Sequence, residues 1–381
     1  MAGIYIHIPF CKQACHYCDF YFSTNTAKRT DLIYALGREM ELQKNYLSGE
    51  ELNTIYFGGG TPSLLSPEEI GVILNDIHRA FTVAPSPEIT LEANPDDLVF
   101  AKLLSFKSIG INRLSIGIQS FDDDILKFLN RAHDAGMAAK SYEDARAASF
   151  ENISIDLMYA IPGQDQKVWK KNIQKAISLN PEHISSYSLT IENKTVFGKW
   201  AAQKKITAPD EDISAAELII LIDELEQAGF EHYEVSNFSR PSFMSKHNSN
   251  YWKGEKYLGL GPSAHSFNGT SRQSNISNNQ LYIAAIQSER VPATVEILSR
   301  EDKINDWLLT GLRTAWGTNL TDLLKSHQYD LLQMHGPYIK QLIDSNLAVV
   351  TDQSLILTKS GRLLADKIAA DLFATDYSSK R

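Results

Sequence analysis

A rhythm of short β-branched runs separated by longer amphipathic stretches constrains this chain more than any other feature. Candidate strands fall at 5–8, 54–57, 88–92, 113–118, 153–157 and 183–188, with helical patterns at 31–46, 66–80, 96–108, 136–148 and 166–179 between them. Pro67 and Glu68 open the second of these helical patterns, as helix starts favour. Repeated βα units demand a parallel sheet, and six in succession predict an α/β fold built on an open or partial (β/α)6 barrel. In such folds chemistry gathers at the carboxyl ends of the strands, so the residues just after each run matter most.

Residues 212–228 read as a further helix and 229–236 as a turn and a strand. The stretch 239–280 is rich in Ser, Asn, Gly and aromatics without periodicity, which predicts ordered loop. Helical patterns at 301–315 and 338–345, short strands near 347–350 and 355–357, and a helix over 359–373 predict a mainly helical, winged-helix-like C-terminal domain. The expected division is therefore a barrel over 1–238, a loop-rich extension closing it over 239–299, and the C-terminal domain over 300–381. Residues 301–381 carry nine Lys/Arg against ten Asp/Glu, which gives no footprint for phosphate. Across 381 residues, 37 basic side chains face 46 acidic ones, a net charge of −9 that excludes a broad nucleic-acid surface and favours small-molecule or protein partners. No apolar run approaches the roughly 18 residues of a membrane span, and the N-terminus lacks signal-peptide features, so a cytoplasmic protein without membrane insertion is expected.

All three cysteines, Cys11, Cys15 and Cys18, fall within eight residues just after the first strand. Small buried hydrophobes would scatter through a core; clustering asks for a ligand. Zinc is one reading, with His16 or His7 completing a tetrahedral set. The other is an iron–sulfur cluster, which usually takes four cysteines. With three, one iron stays open to a molecule presenting an amine and a carboxylate, and an electron passed through that contact can break a bond in the chelating molecule.

Cys11-Lys12-Gln13-Ala14-Cys15-His16-Tyr17-Cys18 has the C-x3-C-x2-C spacing of radical S-adenosylmethionine proteins, and Gly58-Gly59-Gly60-Thr61-Pro62 resembles their glycine motif. More closely, Tyr5-Ile6-His7-Ile8-Pro9-Phe10-Cys11, Gly117-Ile118-Gln119-Ser120-Phe121 and Asp156-Leu157-Met158-Tyr159-Ala160-Ile161-Pro162-Gly163 resemble the oxygen-independent coproporphyrinogen oxidase family over essentially the whole chain. This resemblance implies a radical S-adenosylmethionine barrel with a [4Fe–4S] cluster on Cys11, Cys15 and Cys18. It implies that Gly59, Gly60 and Thr61 hold the methionine amino group of S-adenosylmethionine, and that Glu92, Gln119, Arg131 and Asp156 contact the same cofactor. Tyr5 aligns with a family tyrosine beside the cofactor, and Tyr17 is expected to pack on the adenine. Gly259-Leu260-Gly261-Pro262-Ser263-Ala264 imitates a dinucleotide fingerprint, but Pro262 and the missing helix argue against one. The resemblance puts this loop, with His265, near cofactor or substrate at the open side of the barrel.

The chain departs from the oxidases in two ways. Phe20 stands where they have a further cysteine, and Cys11 is reached almost at once, whereas they begin with a longer N-terminal segment. Both differences resemble the related haem chaperone branch, as does His247-Asn248-Ser249-Asn250-Tyr251-Trp252. An imidazole can ligate haem iron, so His247 is the expected ligand, with Tyr251 and Trp252 covering a porphyrin face and Arg240, Lys246 and Lys253 near its propionates. The expected partners are haem and recipient haemoproteins, with membrane-bound respiratory ones among the candidates. The competing reading is an enzyme that decarboxylates coproporphyrinogen III or runs another radical reaction.

Overall fold

The computed structural model describes residues 1–351 and 353–375. Six parallel strands, β1 (Ala2–Ile8), β2 (Leu52–Gly59), β3 (Val83–Ala93), β4 (Arg113–Gln119), β5 (Ile153–Tyr159) and β6 (His183–Ser188), lie side by side in chain order. Helices α1 (Arg29–Gln43), α2 (Pro67–Ala80), α3 (Phe100–Ser108), α4 (Asp123–Phe128), α5 (Ala135–Ala147) and α6 (Gln166–Leu179) connect them. This is the expected partial (β/α)6 barrel. Ser66 caps α2 through a reciprocal bond with Glu69, and Pro67 occupies its first turn.

The strands alternate strictly, and the alternation creates the interior. On β4, Leu114, Ile116 and Ile118 are fully buried in the core beneath the helices, while Arg113, Ser115, Gly117 and Gln119 line the barrel cavity. The same division separates Ile89 and Leu91 from Glu92 on β3, and Ile155 and Leu157 from Asp156 on β5. Parallel sheets are usually apolar on both faces. This one keeps a polar inner face.

After α7 (Val196–Ala202) and α8 (Glu211–Gln227), β7 (Glu231–Glu234) and β8 (Asn237–Ser239) form an antiparallel hairpin, with β8 beside β6. The stretch expected to be loop is instead built from α9 (Lys246–Trp252), β9 (Lys256–Leu260), β10 (His265–Phe267), β11 (Ser271–Asn275) and α10 (Asn279–Gln287), followed by β12 (Ala293–Ile297). Strand β9 runs parallel to β1, giving a twelve-stranded sheet in the order β12-β11-β10-β9-β1-β2-β3-β4-β5-β6-β8-β7. Elements of three to nine residues are too short to display a period, which is why the sequence hid them. Gly259 is a packing residue: a Cβ there would lie 2.0 Å from the His265 carbonyl oxygen.

One buried carboxylate fastens this extension to the barrel. Glu39 on α1 accepts from the Gly261 amide at 2.8 Å, Asn275 at 2.7 Å, Gln43 at 2.9 Å and the Tyr282 hydroxyl. The remaining elements, α11 (Arg300–Leu312), β13 (Thr318–Asn319), α12 (Leu320–His327), α13 (Leu331–Asp344), β14 (Ala348–Val350), β15 (Ser354–Leu357), α14 (Lys359–Arg362) and α15 (Ala365–Asp371), surround a second core of Ile304, Leu308, Leu312, Leu323, Leu355 and Ile368. Their three-stranded sheet, β13-β15-β14, matches the winged-helix-like expectation. Pro337 and the non-helical His335 inside α13 explain why its first half had no helical signature. Glu39→Ala would strand several buried donors at once. It is expected to cost about 3 kcal/mol or more, read as a lower urea midpoint with the slope unchanged.

Candidate functional site

The cysteine loop between β1 and α1 is held from three sides. Lys12 pairs with Asp96 at 2.7 Å and with Asp97, both just beyond β3. On the α4 side, the His16 amide donates to Leu129 at 3.1 Å and Asn130 donates to the Ala14 carbonyl at 2.7 Å. From α7, the Phe197 amide donates to the His16 carbonyl at 3.0 Å. Tyr17 packs on an apolar cluster containing Ile125, Leu129, Met158 and Leu189, so its ring anchors the loop as well as lining the cavity.

Arg131 donates to the Cys15 sulfur at 3.4 Å and Thr61 to the Cys11 sulfur at 3.5 Å, and burial pushes the Cys11 thiol up despite the Thr61 contact. Burial pushes the Cys18 thiol up to about 12, and the nearby Cys15 and Cys11 add to it. Three such neighbours gain most from a cation shared among them. Among the described residues no three His, Cys, Asp or Glu side chains gather as a site for a single metal ion. Of the two histidines considered for zinc, His7 spends both ring nitrogens on Tyr5 and the Tyr21 carbonyl, while His16, with Nδ1 on the Phe128 carbonyl at 3.0 Å, packs its ring against Phe197 and Trp200. The donor set therefore fits a multi-iron cluster on three thiolates better than a lone zinc.

The glycine loop lies against the cysteine loop. Gly60 N–H donates to Ile8 O at 2.9 Å, and Thr61 N–H to Phe10 O at 2.7 Å. A Cβ on Gly60 would sit 2.8 Å from Phe10 O, so only glycine permits this approach. Gly59 N–H donates to Glu92 at 3.2 Å. With all three amides spent inside the chain and the Thr61 hydroxyl held between Cys11 and Asn94, what remains for a ligand is carbonyl oxygen, an acceptor suited to an ammonium group.

A cavity of about 470 Å³ opens below, lined by the three cysteines, Tyr17, Gly59, Gly60, Thr61, Glu92, Gln119, Arg131 and Asp156. Burial pushes the Glu92 carboxyl up to about 7 despite the Tyr56 hydroxyl donating to it at 2.8 Å. Burial likewise raises Asp156 to about 6, against the pull of Arg113. Arg131 also donates to Asn94 and to the Gly117 carbonyl, both at 2.7 Å, while Gln119 adopts the left-handed backbone region with φ of 65°.

The other candidates lie elsewhere. Tyr5 and His265 line a second cavity of about 760 Å³, together with Tyr251 and Trp252. This cavity lies between the β9–β10 edge and the C-terminal helices α11 and α12. Phe20, where the oxidases carry cysteine, borders both cavities and is 69% exposed. The expectation that His247 offers a ring nitrogen to haem is not met. It is 2% exposed, with Nδ1 bonded to the Thr54 hydroxyl and Nε2 to the Tyr251 hydroxyl, both at 2.8 Å. Burial, with Arg113 adding to it, pulls its pKa down to about 3. Arg240 is likewise committed, to Ala228 and Asn180. The cations at the second cavity are Arg272 and Lys303.

Taken together, the barrel and its cysteine loop define a radical S-adenosylmethionine protein. The Radical SAM superfamily model matches residues 5–176, and the HemN C-terminal domain model matches residues 298–364. A Bacillus subtilis protein named heme chaperone HemW is 36% identical over 97% of this chain and 98% of its own length. One of the same name from Lactococcus lactis is 34% identical over 98% of each. The chain belongs to the HemW family. Coproporphyrinogen III oxidase (HemN) from Escherichia coli shares the fold, with a TM-score of 0.84 and 23% identity over 98% of this chain and 90% of that one.

Sequence reasoning missed Arg113, Asn94 and Tyr56, which all line the first cavity. The signal was present in the dyad of β4, where Arg113 shares a face with Gln119. The two raised carboxyls predict a pH dependence. As pH rises through the ordinary carboxylate range, the unfolded chain releases protons that the folded chain keeps until about 6 at Asp156 and about 7 at Glu92. Their contribution to stability is therefore full at low pH and lost as pH rises through those values. Glu92→Gln should flatten the decline of the cluster-free protein's urea midpoint between about pH 5 and about pH 8. Superimposable profiles for the two proteins would show that Glu92 is ionised throughout.

Proposed function

We propose that this chain is a haem chaperone that binds haem and transfers it to recipient haemoproteins, membrane-bound respiratory ones among the candidates. In this reading a [4Fe–4S] cluster and S-adenosylmethionine belong to the first cavity. Cys11, Cys15 and Cys18 would hold the cluster, with Arg131 and Thr61 donating to its thiolates. When bound, the cluster supplies one-electron chemistry to the molecule on its open iron. Gly59, Gly60 and Thr61 would offer acceptors to the methionine ammonium, and Glu92 and Asp156 add acidic side chains to the same walls. Gln119 is placed to take a polar contact, and Tyr17 lies within reach of the adenine. The reading includes a cytoplasmic location, which rests on the sequence alone; among the described residues no helix is long and apolar enough to cross a membrane.

The observation that carries the haem reading is the second cavity, with aromatic side chains from Tyr5, Tyr251, Trp252, Tyr257, Phe267 and Trp307. Its size lies within the range that encloses a cofactor-sized molecule. Tyr5 thus moves, in this reading, from the S-adenosylmethionine setting to the wall of a porphyrin site, while Tyr251 and Trp252 keep the porphyrin role expected of them without His247. The relatives named heme chaperone support the same assignment.

Two measurements test it. Anaerobic reconstitution should give a brown protein containing iron and labile sulfide, and Cys11→Ala should abolish the colour; a colourless protein with one zinc would remove the cluster. Cluster-loaded protein should bind haem and leave coproporphyrinogen III unchanged under reducing conditions with S-adenosylmethionine. Formation of protoporphyrinogen IX would replace the chaperone reading with the oxidase.

A further inference from the structure

We infer that haem seats in the second cavity with the His265 imidazole on its iron and with Lys303 against a propionate. The inference rests on the haem-carrier reading above and specifies where that cargo binds.

Three histidines line this cavity: His7, His265 and His327. An iron ligand needs a ring nitrogen with a free lone pair. His7 has none to spare, since Nδ1 bonds Tyr5 at 3.2 Å and Nε2 bonds the Tyr21 carbonyl at 3.0 Å. Among the described residues the His265 ring makes no hydrogen bond, and it is exposed at the cavity. Its backbone is fixed by antiparallel pairing with Ser274 and by close packing against Gly259. His327 also lacks a ring hydrogen bond, but it ends α12, lies edge-on to Trp307 at 6.1 Å, and is followed by the left-handed Gln328. A strand-borne imidazole is held more precisely than one at a fraying helix end, so His265 is the better ligand.

The remaining groups meet the rest of a porphyrin. Phe20 presents an uncovered aromatic ring, and Trp252 has a buried Nε1–H without an acceptor, both at this cavity. Its two carboxylates are already paired, Asp306 with Arg272 and Glu255 with the terminal ammonium at 3.6 Å. Among the described residues Lys303 makes no ion pair, and its ammonium faces the cavity. The first cavity differs in kind, being ringed by the three cysteines and lined by the carboxyls Glu92 and Asp156 together with Arg113 and Arg131.

The test uses cluster-loaded, full-length protein titrated with ferric haem under anaerobic conditions, following the Soret band and the electron paramagnetic resonance signal. Wild type should show a histidine-ligated spectrum. His265→Ala should keep its iron–sulfur content and far-ultraviolet dichroism, weaken haem binding at least about ten-fold and change the spin state, and added imidazole should restore the wild-type spectrum. Lys303→Glu should weaken binding while leaving the iron spectrum intact. If His265→Ala matches wild type in affinity and spectrum, or if His327→Ala alone loses the signal, the ligand assignment is overturned and the carrier reading survives. If wild type binds no haem, the carrier reading itself fails.

Discussion

Two backbone hydrogen bonds, from Gly60 N–H to Ile8 O and from Thr61 N–H to Phe10 O, tie the end of β2 to the start of the cysteine loop. They form because Gly60 lacks a Cβ, so that two strand ends approach more closely than any side chain would allow. Cys11 follows at once, and its amide closes on the Ser23 carbonyl at 3.1 Å, bringing the far end of the loop back to the same point. Every other support of the three thiols, from Lys12 to Tyr17, acts on a loop whose root is fixed here. The glycine motif therefore shapes the thiol site before it offers anything to a ligand.

Much of this was legible. The six barrel strands and the order of their helices follow from alternation of period, because long, strongly patterned elements leave little room for another solution. The cysteine loop, the glycine loop, Glu92, Gln119, Arg131 and Asp156 were all readable as strand-end polar residues, and they converge on one cavity. What escaped was long-range. Nothing local to residues 239–280 shows that Lys256–Leu260 completes the sheet beside the first strand, since that pairing is decided by residues 250 positions away. His247 looked like a ligand because imidazole chemistry is visible in sequence and burial is not. Its partners, Thr54 and Tyr251, lie on a different strand and one helical turn away. Glu39 went unnoticed for the same reason: a single acid in an amphipathic helix looks solvated until Gly261, Asn275 and Tyr282 are folded onto it.

The two cavities have opposite physical character despite their shared border at Phe20. One is ringed by thiols and by carboxyls whose protons are held by burial, with Arg131 supplying compensating charge at its edge. The other is walled by aromatic rings and carries Lys303, which has no ion pair among the described residues. Tyr5 and His7 on β1 stand in the wall of the second cavity, and Tyr5 stacks on Tyr56, which belongs to the first. A single layer of side chains thus separates the thiol-ringed cavity from the aromatic one.

Strand β1 is an interior strand of the sheet, flanked by Leu52–Gly59 on one edge and Lys256–Leu260 on the other. During synthesis its second edge must wait for about 250 further residues, a delay on the order of ten seconds or more. Throughout that interval an exposed ladder of peptide groups invites mispairing. The thiols emerge early as well, yet their loop gains its last backbone anchor only with Phe197. Maturation of this protein thus faces a problem of timing, because iron delivered to the nascent chain would meet sulfur ligands before the walls that position them have been made.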